Sequence, residues 1–78
     1  MNLQKSIALK ISKLLLEHDL SRYAFCNKIG MSEQSLKHII DERNKDIKLS
    51  TLYQIIDGFD LTLEEFFADD IFDKNKLL

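Results

Sequence analysis

Proline is absent from this sequence, glycine occurs twice and cysteine once. With no proline to break a helix, interruptions fall to glycine and to short polar residues. The single cysteine, Cys26, excludes an intramolecular disulfide and any zinc site built from several cysteines. The two glycines, Gly30 and Gly58, stand too far apart to form the glycine-rich phosphate loops of nucleotide-binding folds. No apolar run reaches signal-peptide or membrane-span length, and Lys5, Lys10 and Lys13 interrupt the first apolar stretch. A cytoplasmic protein is the expectation, with no membrane partner. There is no internal repeat and no low-complexity segment.

What remains is 78 residues, 45% of them apolar, enough for one small core in one domain. The net charge of −2 conceals an asymmetry. Residues 1–50 hold nine basic and six acidic side chains, a balance of +3, whereas residues 51–78 hold two basic and seven acidic, a balance of −5. That division suggests one basic and one acidic face, with scattered surface charge as the plainer alternative.

Helical periodicity accounts for most of the chain. Ile7, Ile11, Leu14 and Leu15 fall at i, i+4, i+7 and i+8, one apolar stripe on a first helix. Ser21 is a good N-cap for a second helix over about residues 22–29, with Leu20 placed to staple against Phe25. Gly30 closes that helix in the left-handed conformation. Ser32 caps a third helix, stapled by Met31 and Leu36, which buries Leu36, Ile39 and Ile40 and exposes Gln34, Lys37, His38 and Asp41. Residues 42–48 read as a polar loop. A fourth helix carries Leu49, Leu52, Tyr53, Ile55 and Ile56, and a fifth opens on the capping box Thr62-Leu63-Glu64-Glu65, with Leu61 and Phe66 as its staple. No segment alternates with a strand's period, so the fold is all-α.

Two short helices joined by a tight glycine turn, the second beginning with polar residues, form the helix-turn-helix arrangement. It needs a small residue in the first helix where the second crosses, and Cys26 stands there, four before Gly30. Apolar residues at Phe25, Ile29, Met31, Leu36 and Ile39 hold the interhelical angle.

Beyond this pattern, "LSRYAFCNKIGMSEQSLKHII" and "KLSTLYQIIDGFDLTLEEFF" resemble the Cro/C1-type (XRE family) helix-turn-helix domains of phage repressors and small bacterial regulators. The likeness runs from about Ile7 to Phe67, and Leu49, Thr51, Leu52, Ile55, Leu61, Leu63, Phe66 and Phe67 stand at the family's spacing. It implies a compact five-helix, lambda-repressor-like domain over residues 1–68, with its helix-turn-helix at about 22–41 and the third helix entering the major groove of double-stranded DNA. It also implies that Glu33, Gln34 and His38 read bases, with Lys37 on the same face. Phosphate binding falls to Arg22, Arg43, Lys45 and Lys48. Glutamine can pair bidentately with adenine, glutamate can accept from cytosine, and lysine or histidine can donate to guanine. The plainer reading of these side chains is a solvated helix face with ordinary loop charges.

The sequence also departs from the family. Leu15 and Ile40 replace a buried Arg–Glu pair, both partners having become apolar, and they are expected to touch. Asp60 stands where a helix-ending glycine is usual; aspartate tolerates that conformation. Glu33, Asp41 and Glu42 bring negative charge to the DNA-facing side.

Nothing implies an enzyme, a metal or a cofactor. No signature places a base beside Cys26, His18 and His38 form no compact ligand motif with it, and Glu64-Glu65 and Asp69-Asp70 read as capping and surface charge. Residues 69–78 read as a frayed or partner-dependent tail. The homodimer surface is expected on the fifth helix and this tail, through Phe66, Phe67, Ile71, Phe72, Leu77 and Leu78; the alternative is that Ile71 and Phe72 cover the domain's own core. The rival to DNA binding is a protein partner, bound by the acidic C-terminal helices in the manner of an antitoxin or anti-repressor.

Overall fold

A computed structural model describes residues 2–41 and 46–77. Five helices follow in order: α1 Leu3–Glu17, α2 Arg22–Ile29, α3 Glu33–Ile40, α4 Leu49–Gly58 and α5 Leu63–Phe67. A single 3-10 turn, Asp70–Phe72, comes after them, and there is no strand among the described residues.

Four of the five helices begin where a side chain satisfies a free N–H group of the first turn. Asn2, Ser21, Ser32 and Thr62 accept from the backbone N–H three residues on in α1, α2, α3 and α5. Thr62 and Glu65 complete the expected capping box, each side chain bonding the other's backbone N–H at 3.0 and 2.9 Å. Only α4 starts without such a bond, at Lys48. Helix ends are made by left-handed residues: Gly30 at φ +72°, Asp60 at φ +58° and also Asp19 at φ +53°.

The core gathers the expected stripes. Ile7, Ile11, Leu14 and Leu15 are buried on α1, Phe25 and Cys26 on α2, and Leu36 and Ile39 on α3. Leu52, Ile55, Ile56, Phe59 and Phe66 close it from the C-terminal half. Phe25 and Phe59 stack at its centre, ring centroids 4.1 Å apart. Leu15 and Ile40 belong to the same apolar cluster, Ile40 at its half-buried margin. Leu49 and Tyr53 lie outside it: α4 turns both toward solvent, where they are 71% and 54% exposed.

The tail differs from its expected frayed state. The Asp69 carboxylate caps the 3-10 turn by accepting from Ile71 N–H at 3.1 Å, and it receives Lys10 and Lys13 of α1, each at 3.1 Å. Buried Ser6 donates to the Ile71 carbonyl at 3.2 Å. Phe72 packs on Phe66 and Phe67. Residues 69–72 therefore fold back onto α1. Phe66 is fully buried and Ile71 and Phe72 are half-buried, so much of the apolar surface assigned to this region covers the domain's own core.

Candidate nucleic-acid interface

The turn between α2 and α3 is built by three local choices. Gly30 adopts φ +72° and ψ +31°, and the N–H groups of Gly30 and Met31 both reach back to the Cys26 carbonyl, as the end of a helix requires. Ser32 then restarts the chain as a helix, its Oγ accepting from Ser35 N–H at 3.1 Å. Cys26 lies beneath the crossing with its Sγ 3.7 Å from the Ser32 carbonyl. A larger side chain there would push α3 away from α2. Burial, with Glu33 nearby, pushes the Cys26 thiol up, against the weaker opposing pull of Arg22, so this sulfur stays a protonated packing group.

With Leu36 and Ile39 facing inward, the outer face of α3 leaves Glu33, Gln34 and Lys37 exposed and His38 half-buried. Arg22, the first residue of α2, extends toward the same place. These five side chains line one open hollow of about 380 Å³. Four kinds of hydrogen-bonding group meet there: the cationic donors Arg22 and Lys37, an amide that both donates and accepts, a carboxylate that accepts, and an imidazole. Among the described residues, Arg22, Glu33 and Lys37 are in no ion pair, so their charges remain available to a ligand. The free N–H groups and positive dipole end of α2 add to the attraction for an anion beside Arg22.

Of the residues that the sequence resemblance assigns to phosphate, Arg22 lies with those it assigns to bases, and Lys48 is exposed at the start of α4. Arg43 and Lys45 fall outside the described residues. A smaller adjoining hollow of about 160 Å³ shares Glu33 and is lined also by Tyr23 and Asn27. Neither of those two residues was singled out in the sequence. Tyr23 is 65% exposed although aromatic, and its place one residue into α2 was the available signal.

The fold and this surface define an all-α helix-turn-helix domain. A family model for the Cro/C1-type HTH DNA-binding domain matches residues 10–70, and the chain belongs to that family. Comparison with curated proteins gives no match, and comparison with solved structures gives none. No helix among the described residues is long and apolar enough to cross a membrane.

Proposed function

We propose that the protein is a sequence-specific transcriptional regulator, a repressor that binds an inverted-repeat operator in double-stranded DNA as a homodimer. The observation that carries this reading is the grouping of Arg22 with Glu33, Gln34, Lys37 and His38 around one hollow on α3, the second helix of the helix-turn-helix. An α-helix fits the major groove, and each well-formed pair to a base edge contributes roughly 1–3 kcal/mol of discrimination. Two copies would set their α3 helices about 34 Å apart on one face of the duplex. Arg22, Lys48, Arg43 and Lys45 would hold phosphates and fix the register.

The rival acidic docking surface has less to offer. Glu65 is engaged in its capping box, Asp69 with Lys10 and Lys13, and Asp70 with Lys76. Of the four carboxylates that reading relies on, three already have partners within the chain.

The test is a gel shift with the DNA upstream of the protein's own gene, repeated across salt concentrations. Binding should weaken steeply with salt, since each neutralised phosphate releases counterions. Changing Gln34, His38 and Arg43 together to alanine should abolish selection of that DNA over random duplex. Unchanged selection in the triple variant would remove α3 as the reading element.

A further inference from the structure

The smaller hollow, of about 160 Å³, lies between α2 and the start of α3. Glu33 is common to it and to the larger hollow, whose α2 wall is Arg22. Arg22 and Tyr23, consecutive in the first turn of α2, therefore flank the first residue of α3. Tyr23 is 65% exposed and stands outside the apolar core cluster. Among the described residues nothing bonds its hydroxyl. Tyrosine is also a weaker helix former than the straight-chain residues that suit a solvated helix face. Neither packing nor helix formation accounts for an aromatic ring at this place.

We propose that Tyr23 reads a thymine in each half-site, its ring lying against the 5-methyl group, beside the base that faces Glu33. The inference rests on the reading in which α3 enters the major groove, and it adds a base contact made from α2.

Two features favour a thymine. The first is the lining of the hollow. Exposed Tyr23, Asn27 and Glu33 form its rim, and buried Cys26 and half-buried Met31 form its floor. Below the rim, an entering group meets soft, polarizable side chains and no charge. The thymine methyl is the one methyl group among the major-groove edges of the four bases. The second is what a phenol can select. Its hydroxyl both donates and accepts, so a single bond from it suits any base or a phosphate and distinguishes none. Selection falls to the ring, and an apolar ring finds its complement in a methyl group.

A double-mutant cycle between protein and DNA tests this. A duplex selected by the parent chain from random sequence is remade with deoxyuridine for thymidine, one position at a time, which removes only the 5-methyl group. At one position in a half-site the parent should lose affinity about fourfold, the worth of one buried methyl group. Tyr23→Ala should bind the unmodified duplex more weakly and lose nothing further at that position. Tyr23→Phe, which keeps the ring, should respond as the parent does. Tyr23→Ala removes an exposed side chain in favour of a stronger helix former, so its melting midpoint should not fall. Tyr53→Ala, at the exposed tyrosine of α4, is the control and should keep the parent's response to deoxyuridine. Equal deoxyuridine costs in the parent and Tyr23→Ala at every position overturn the proposal. A Tyr23→Phe variant that behaves like Tyr23→Ala overturns it too, because the hydroxyl would then be the contact. If the parent selects no duplex, the DNA reading fails and this inference falls with it. If the parent selects one and the cycle shows no coupling, the role of Tyr23 alone fails.

Discussion

Gly58 lies directly against Ile29: a Cβ added to it would fall 2.4 Å from Ile29 Cγ2 and 3.0 Å from the tip of the Phe25 ring. The neighbours have little room to give. Ile29 Cγ2 is attached at the branch point of a stiff side chain, and Phe25 is held by its stack on Phe59. Gly58→Ala should therefore destabilise by about 1–3 kcal/mol through overpacking, despite alanine's better helix propensity. Thermal unfolding followed by circular dichroism should show the midpoint falling by roughly 5–20 °C. An unchanged midpoint would mean that α2 and α4 separate without cost.

Gly30 should respond for a different reason. Nothing lies within 4 Å of a Cβ placed there, so Gly30→Ala meets no clash. It forces alanine into the left-handed region, at a cost of about 1 kcal/mol or somewhat more. Gly30→Asn should lose less, because asparagine accepts that conformation more readily. Chemical denaturation of the two variants side by side checks the order, and equal losses would contradict a purely conformational role.

Asp69 makes the tail's attachment acid-sensitive. The Ile71 N–H, then Lys13 and Lys10, hold its carboxyl down to about 2, against an ordinary value near 3.8. A carboxylate depressed on folding stabilises the folded state above its unfolded pKa, and that contribution fades as pH falls through the folded value. The window is thus from about pH 4 down to about pH 2. Asp69→Asn removes the charge while keeping an acceptor for Ile71. At neutral pH it should melt below the parent, and the gap should close across that window. A gap independent of pH would assign the tail's attachment to Phe72 and Ser6 instead.

On the proposed reading, in which α3 faces DNA, Glu33 should set affinity against selectivity. Glu33→Gln should raise affinity for random duplex, since one repelling charge near the phosphates is gone. It should also relax discrimination at the base facing residue 33, where a carboxylate can accept from cytosine and an amide prefers adenine. Competition binding with single-base operator variants measures both effects. A uniform gain with no change in base preference would assign residue 33 a purely electrostatic role.

What could be read from the sequence was local. Ser21, Ser32 and the Thr62–Glu65 box announce helix starts because their hydrogen bonds span three residues, and all form as expected. Gly30 was legible because its conformation is set by its own backbone. The features that escaped depend on distant partners. Asp69 meets Lys10 and Lys13 across more than fifty residues, and no periodicity signals that contact. Gly58 looked like any helical residue until α2 was laid against it. Leu49 matched an apolar pattern yet faces outward, because position in a stripe does not say whether a neighbour covers the stripe's end. At the candidate interface, the exposed positions of α3 followed from the inward Leu36 and Ile39, whereas the approach of Arg22 to them depends on how α2 and α3 cross.

Two hydrogen bonds join the ends of α2 and α4 in opposite directions. Lys28 Nζ donates to the Gly58 carbonyl and Gln54 Nε2 to the Ile29 carbonyl, each at 2.8 Å. Each satisfies a carbonyl in a helix's last turn, which has no partner of its own. Together they anchor the residue immediately before the Gly30 turn to α4, a helix outside the proposed reading face. The turn is braced from behind. On the proposed reading, a recognition helix held this way would reach its target already shaped, with little conformational freedom left to lose on binding.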